Sequence, residues 1–304
     1  MNVDPVLALE SLGYTQREAA FLCLVAVHSG YFLRRQFDYF IDRQKGAIAQ
    51  HFLEKARVTG HIEIIDYGQG RHLYHLYAKP IYRLLGNAES QNRRRKGDAL
   101  IRARLITLDH VLENDGERYL ESDAEKVRFF TECREIPNAI FTDVNGKLHP
   151  LLASSAISLA NAKQPSCSKV QFLFADEALV TTEKFIRFLS VTESLLRALG
   201  NFEVIYASNS PHNFAAAEKE FRSRFATRAA AAQRILGSNW REDSPVQHPP
   251  VKAEFTTVLF RYSYPKIRRK ESSSLEAVRL SGLLQKPETA VHQPDSSLPG
   301  ANAG

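Results

Sequence analysis

The stretch from Leu33 to Tyr77 restricts the fold of this 304-residue chain more than any other part of its sequence. It opens with apolar residues spaced four apart, a period that predicts a short helix with one apolar stripe, formed by Leu33, Phe37 and Ile41. A second helix is predicted from Arg43 to Thr59, ended by Gly60. Residues 61–67 and 71–77 then read as two strands joined at Gly68-Gln69-Gly70, where glycine permits the positive φ angles of a tight turn.

A further helix is expected on each side of this stretch. Thr15-Gln16-Arg17-Glu18 has the pattern of a capping box, in which the Thr and Glu side chains satisfy free amides at a helix start, and the apolar run 19–28 follows it. A short helix from Pro80 to Leu85 ends at Gly86. Helices and a hairpin in this order have the layout of a winged helix-turn-helix, a module that reads DNA. Residues 1–90 are therefore predicted to form a DNA-binding domain.

The helix predicted from Arg43 to Thr59 has the polar face that base recognition requires. Glutamine and lysine side chains bond to base edges, while arginines beside the helix and at the hairpin tip suit contacts to phosphate. The expected DNA-binding residues of this domain are Arg34, Arg35, Arg43, Gln44, Lys45, Gln50, His51 and Arg71. The alternative interpretation is an ordinary amphipathic helix whose polar face is only solvated.

The densest charge in the chain follows this domain, at Arg93, Arg94, Arg95 and Lys96. In contact with the DNA backbone, this run would add salt-dependent affinity that does not depend on the base sequence. The alternative is a solvated linker. The next helix, from Asp98 to about Asn114, has one apolar face, formed by Ile101, Leu105, Leu108 and Leu112. That face predicts either packing back onto the domain or a homodimer through residues 98–114. Residues 91–118 are thus read as a basic linker and an amphipathic helix.

Strand and helix patterns alternate over residues 119–270, which predicts an α/β domain. A helix is expected over 123–133, and strands over 139–143 and 147–152 joined at an Asn-Gly turn. Buried strands over 170–175 and 202–207, separated by a helix over 183–199, predict a parallel βαβ unit. A helix over 213–225 and a strand over 254–264 complete the domain. Residues 271–304 have few large apolar residues, so a disordered tail is expected.

Two carboxylates follow predicted strands, Asp143 and Glu177, and carboxylates at paired strand ends hold Mg²⁺ in nucleases of the restriction-endonuclease-like class. Such sites place a lysine close to the second carboxylate, but here the nearest candidate is Lys184 on the following helix. A Mg²⁺-dependent nuclease using these three residues is therefore an alternative to a non-enzymatic protein without a cofactor. Asp143 equally suits the start of the Asn-Gly turn.

The overall composition favours a soluble globular protein, with 44% hydrophobic and 24% charged residues. A formal net charge of +6 suits a nucleic-acid partner without requiring one. The sequence shows neither a secretory signal nor an apolar run long enough for a bilayer, so no membrane association is expected. The three cysteines, at 23, 133 and 167, have no metal or disulfide spacing, which favours a cytoplasmic setting.

Several soft motifs occur together in residues 12–86: LGYTQREAAFL, Phe32-Leu33 before a Gln-Phe pair, RQKGAIAQHFLEK, and the glycine-containing hairpin. With them the segment resembles the winged-helix start of replication-relaxation-type proteins of plasmids and other mobile elements, although Ala78-Lys79-Pro80 stands where those proteins have T-x-x-G. The resemblance implies a bacterial setting and a C-terminal α/β region with a nuclease-like layout, often not obviously catalytic.

We therefore expect an α+β protein that binds double-stranded DNA in the replication, mobilisation or regulation of a mobile element. Its α/β domain would have a layout similar to restriction-endonuclease-like folds. Besides the nuclease, a winged-helix protein–protein adaptor is the remaining alternative, since some winged helices bind no DNA.

Overall fold

The computed structural model describes residues 4–42, 46–68, 70–160, 168–177, 181–225 and 252–260. These residues form a mixed α and β structure, as the sequence predicts. The predicted DNA-binding residues Arg43, Gln44 and Lys45 lie outside the described residues, and so does the predicted tail, residues 271–304. None of the helices in the described ranges is both long enough and apolar enough to cross a membrane.

The N-terminal part consists of short helices around a three-stranded antiparallel sheet. Its elements are α1 (Pro5–Glu10), α2 (Gln16–His28), β1 (Tyr31–Phe32), α3 (Arg34–Phe40), α4 (Ile48–Val58), β2 (Ile62–Asp66), β3 (His72–Leu76) and α5 (Lys79–Leu84). The sheet has the order β1-β3-β2. Strands β2 and β3 form the predicted hairpin, in which Ile62 lies opposite Leu76.

Local sequence signals set the ends of these helices. The predicted capping box opens α2: the Thr15 amide donates to the Glu18 carboxylate at 2.8 Å, and the Glu18 amide donates to the Thr15 hydroxyl at 3.4 Å. Helix α4 begins at Ile48 and not at the predicted Arg43, because Gly46 has a φ of 140°, outside the helical range. Gly60 has a φ of 69°, as expected of a glycine that ends a helix.

Aromatic rings fill the core between α2, α3 and α4. The Phe37 ring stacks on Phe52 with centroids 4.2 Å apart, and Phe21 meets the edges of Phe32 at 5.3 Å and Phe37 at 5.1 Å. All four rings are almost fully buried. The apolar stripe predicted for α3 therefore faces the side of α4 that is buried in the structure, and the opposite side of α4 is left to solvent.

The C-terminal part is built on a five-stranded sheet with the order β4-β5-β6-β7-β8. Its elements are α6 (Asp98–Glu113), β4 (Arg118–Tyr119), α7 (Asp123–Arg128), α8 (Pro150–Ser154), β5 (Ile157–Ala160), β6 (Lys169–Asp176), α9 (Glu183–Leu199), β7 (Asn201–Ser208), α10 (Phe214–Phe225) and β8 (Lys252–Leu259). Strands β6, β7 and β8 are parallel, which confirms the predicted βαβ unit through α9.

The strands predicted over residues 139–143 and 147–152 are wrong. A single 3-10 turn lies at Asn138–Ile140, α8 begins at Pro150, and one isolated bridge joins Thr142 to Leu148. The Asp143 carboxylate accepts hydrogen bonds from the amides of Asn145 at 2.8 Å and Lys147 at 2.9 Å. These bonds close a local turn in place of a strand ladder, since Asp side chains compete for backbone amides.

Helix α6 lies between the two sheets. Its residues Leu108 and Leu112 join the core formed by α2, α3 and α4, whereas Ile101 and Leu105 pack between the three-stranded sheet and the five-stranded sheet. The whole apolar face predicted from the sequence is thus buried within the chain. Of the two predicted outcomes, packing back onto the domain is the one observed, and this face is not available for a homodimer.

Two cations, the half-buried Arg104 and the buried Lys126, hold the junction between the two parts where helix ends meet. The Arg104 guanidinium donates to the carbonyl of His28, at the end of α2, and to that of Ser154, at the end of α8. The Lys126 ammonium donates to three carbonyls at the end of α8, those of Leu152, Ala153 and Ser155, at 2.9–3.0 Å. Helix C-termini carry partial negative charge, so these carbonyls stabilise both cations.

Two buried histidines make the stability of this arrangement depend on pH. Burial, together with Lys126 and Arg104, lowers the pKa of His28 to about 3, and burial lowers the pKa of His110 to about 4. Because both folded pKa values lie below the ordinary value of about 6.5, protons bind the unfolded chain more tightly, and stability falls as the pH drops below 6.5. Each histidine is expected to remove about 1 kcal/mol between pH 6.5 and 5.5.

Urea unfolding at pH 6.5 and 5.5 measures this effect. His28→Gln and His110→Gln should each reduce the difference in unfolding free energy between the two pH values, whatever they cost in absolute stability. A difference that stays the same in both variants would show that these histidines do not cause the acid sensitivity.

Candidate nucleic-acid interface

Helix α4 presents a polar side to solvent. Ala49, Phe52, Leu53 and Ala56 are buried, whereas the predicted contact residues Gln50 and His51 are exposed. Glu54, Arg57 and Val58 continue the exposed side towards the end of the helix. Helix α4 therefore has the amphipathic character that the sequence predicts, with a solvent face that contains hydrogen-bonding groups.

The hairpin tip places Arg71 in solvent. The Gly68 amide donates to the Asp66 carboxylate at 2.7 Å, and the Arg71 amide donates to the Gly68 carbonyl at 3.1 Å, so the turn is held by its own residues. His72 is exposed and His75 is buried, as expected of residues three apart on a strand. Arg71 is thus available to an external anion.

Residues Arg93–Lys96, called the basic segment below, are fixed beside the hairpin. The Lys96 amide donates to the Tyr31 hydroxyl at 2.8 Å, and the Tyr31 ring stacks on His75 of β3 with centroids 4.3 Å apart. The Arg95 guanidinium lies 3.9 Å from the Glu63 carboxylate of β2. These contacts place the densest charge of the chain next to β2 and β3.

A buried asparagine anchors the start of the basic segment. The Asn92 side-chain amide donates to the carbonyls of Ala26 at 3.0 Å and Val27 at 2.8 Å, at the end of α2. The Asn92 backbone passes so close to Gly30 that a β-carbon there would lie 2.2 Å from the Asn92 carbonyl oxygen. The segment is therefore tied at both of its ends to the N-terminal part.

The positive charges of the basic segment lie close to one another. Arg94 and Arg95 are exposed, and Lys96 is half-buried. Burial, followed by repulsion from Arg104 and Arg94, lowers the pKa of Lys96. A bound anion would relieve that repulsion, so the surface suits phosphate.

The two arginines predicted to contact the DNA backbone from α3 differ in their surroundings. Arg35 forms a two-pronged ion pair with Asp109 of α6, with both nitrogen–oxygen distances 2.7 Å. Arg34 is about half exposed, lies 3.5 Å from Asp38, and donates to the Gly46 carbonyl at 3.4 Å. Arg34 therefore faces solvent beside the turn into α4, whereas the half-buried Arg35 is held by Asp109.

Of the three residues of the alternative nuclease site, Glu177 and Lys184 contact each other, whereas Asp143 binds amides of its own turn. Asp143 is fully exposed in its local turn, where the amide of Lys147 lowers its pKa most. Glu177 is buried after β6 and forms an ion pair with Lys184 of α9. Lys184 is the residue that the sequence indicated as the candidate lysine of the nuclease site. Within the described ranges, no group of three His, Cys, Asp or Glu residues is arranged to hold a metal ion.

A neighbouring carboxylate has a structural role. Asp176, at the end of β6, accepts hydrogen bonds from the Tyr206 hydroxyl at 2.7 Å and from the Asn213 side chain at 3.2 Å. The three groups are buried and join β6, β7 and the start of α10. Asp176 thus holds the carboxyl ends of two parallel strands together.

Sequence reasoning missed the residues that position the basic segment. Tyr31 and Glu63 contact the segment from β1 and β2, and Asn92, directly before the segment, ties it to the end of α2. None of them belongs to a motif, and their roles depend on contacts across about 30 to 65 residues of sequence.

A comparison with models of protein families, with curated proteins and with solved structures found no match to this chain.

Proposed function

We propose that this chain is a non-enzymatic DNA-binding protein whose residues 15–86 act as a winged helix-turn-helix. Helix α4 would lie in the major groove, where Gln50 and His51 face the bases, and the β2–β3 hairpin would be the wing. Arg34 and Arg71 would contact the backbone on either side. Arg35 is not included among the proposed backbone contacts, because its guanidinium forms an ion pair with Asp109.

The observation that carries this proposal is the position of the basic segment. A charged run that follows a domain is often a solvated linker, which contacts nothing in particular. Here the run is tied to β1 through Tyr31 and lies beside β2 through Glu63. Cations held next to a hairpin that carries an exposed arginine make one extended surface for the phosphate backbone.

The α/β part would serve as a non-catalytic body with a layout similar to restriction-endonuclease-like folds. Parallel strands joined through α9 support that layout, and one carboxylate oxygen of Asp143 is engaged by the amides of its own turn. By the resemblance of residues 12–86, the setting would be the replication, mobilisation or regulation of a bacterial mobile element.

Removing the charges of the basic segment tests the proposal. The variant Arg94→Ala/Arg95→Ala/Lys96→Ala keeps the Lys96 amide bond to Tyr31, since that bond uses backbone. Its affinity for a mixed-sequence duplex is expected to fall about 50-fold at 0.1 M salt, and the slope of log K against log salt should drop by about 2 to 3. Fluorescence anisotropy at several salt concentrations measures both quantities.

A matched control removes three exposed cations from α9 and α10, at Arg187, Lys219 and Arg222. It changes the net charge equally, so a specific surface predicts little loss of affinity. Wild-type protein that shifts no duplex at low salt would overturn the proposal. Binding that is insensitive to salt would do the same and would favour a protein–protein adaptor.

A further inference from the structure

Three hydrogen-bonding side chains form one row along the solvent side of α4. Gln50, Glu54 and Arg57 are spaced four and three residues apart, so they share one helix face, and all three are exposed. The Arg57 Nε donates to Glu54 Oε2 at 3.0 Å, and a terminal nitrogen donates to Oε1 at 2.6 Å. The carboxylate thereby fixes the direction of the guanidinium.

This pair retains hydrogen-bonding capacity towards solvent. A guanidinium has five N–H donors in a rigid fork, and Glu54 engages two of its nitrogens, so other donors still point outwards. The hydrogen bonds from Arg57 lower the pKa of Glu54, so the carboxylate is ionised and the pair has no net charge. A neutral pair enters the groove of DNA without the repulsion that a lone glutamate would meet.

The other lysine or arginine of α4 is turned away from this row. The Lys55 ammonium pairs with Glu18 of α2 and donates to the Gly13 carbonyl at 3.1 Å. Arg57 is therefore the cation that α4 presents on its solvent side. Arginine held in an extended form recognises the O6 and N7 atoms of guanine in the major groove by a pair of hydrogen bonds.

We infer that Arg57 reads a guanine in the major groove and that Glu54 is a positioning residue, which holds the guanidinium ready for that base. This inference rests on the proposed DNA-binding function and names the base that α4 selects. Preorganisation favours such contacts, because less side-chain freedom is lost when the complex forms. Glu54 would add to base discrimination without touching phosphate.

Selection of bound sequences from random duplex DNA tests the inference on the full chain. Wild-type protein should enrich a motif with one position fixed as guanine. Arg57→Lys keeps the charge but loses the fork, so it should lower the preference for guanine at that position about tenfold while binding to random DNA stays within about twofold. Glu54→Ala should lower that preference several-fold, and Glu54→Asp should restore part of it.

The pair Arg222–Glu218 on α10 is a matched control, because it is also an exposed arginine–glutamate ion pair within one helix. Arg222→Lys and Glu218→Ala should leave the motif unchanged. A wild-type motif that survives in both α4 variants would overturn the inference and leave the proposed function standing. DNA binding without any sequence preference would also overturn it, whereas no binding at all would defeat the proposed function itself.

Discussion

Replacing Gly30 by alanine is expected to lower the free energy of unfolding by about 3 kcal/mol, because two separate costs add at this position. Gly30 has a φ of 79°, which alanine adopts at a cost of about 1 kcal/mol. Its β-carbon would also lie 2.2 Å from the Asn92 carbonyl oxygen, a backbone atom that no change of rotamer moves. Urea unfolding monitored by circular dichroism measures the loss.

Two other glycines separate these costs. Gly86 has a φ of 74° but no atom within 4 Å of an added β-carbon, so Gly86→Ala should show the conformational cost alone. Gly116 has no atom within 4 Å and no positive φ, so Gly116→Ala should be close to neutral. A loss at Gly30 no larger than at Gly86 would show that the contact with Asn92 is relieved cheaply.

The same substitution links stability to the proposed interface. Asn92 directly precedes the basic segment, so a shift of the Asn92 backbone is expected to move the cations beside the hairpin. Gly30→Ala should therefore weaken DNA binding under conditions in which the protein is still folded. Gly86→Ala should leave that affinity nearly unchanged.

Removing the carboxylate of Asp109 is the second substitution with a large expected effect. Asp109 is 4% exposed and binds Arg35 through both oxygens, while the fully buried Gln36 side chain donates to the same carboxylate at 2.9 Å. Asp109→Ala leaves a half-buried cation and a buried amide without this acceptor. We expect a loss of about 3 kcal/mol, at the lower end of the range for broken buried pairs because Arg35 is partly exposed.

A double-mutant cycle isolates the ion pair. Asp109→Asn keeps an oxygen for Gln36 and should cost less than Asp109→Ala. Arg35→Met alone leaves Asp109 buried with one partner fewer. The double variant Arg35→Met/Asp109→Leu should lose less unfolding free energy than the losses of Arg35→Met and Asp109→Leu added together. Additive losses would show that the two side chains do not stabilise each other.

Much of the fold follows from local signals. The capping box of α2, the hairpin of β2 and β3 and the helix over residues 183–199 each depend on residues close together in the chain, and all three predictions are confirmed. The errors lie where a local signal has two outcomes. Asp143 lies two residues before Asn-Gly and closes a turn that has no strands on either side. Strands β4 and β5 were not predicted, because with two and four residues they are too short to show the alternation of apolar and polar residues that identifies a strand.

The candidate site was predictable in outline. Exposure of Gln50, His51 and Arg71 agrees with the face expected from helix and strand periods. The pairing of Arg35 with Asp109 was not predictable, since it joins residues 74 apart in sequence. Nor was the role proposed for Glu54, because an acidic residue on a helix argues against contact with DNA until its pairing with Arg57 is seen.

The sequence by itself determined the order of the elements around Leu33–Tyr77, because caps, glycines and apolar periods act within a few residues. It also determined that a dense run of cations follows them. Only the tertiary structure decided where those cations lie and which charges remain free. Asn92, Tyr31 and Glu63 hold the basic segment beside the hairpin, and Asp109 withdraws Arg35, through contacts that exist only when distant parts of the chain fold together.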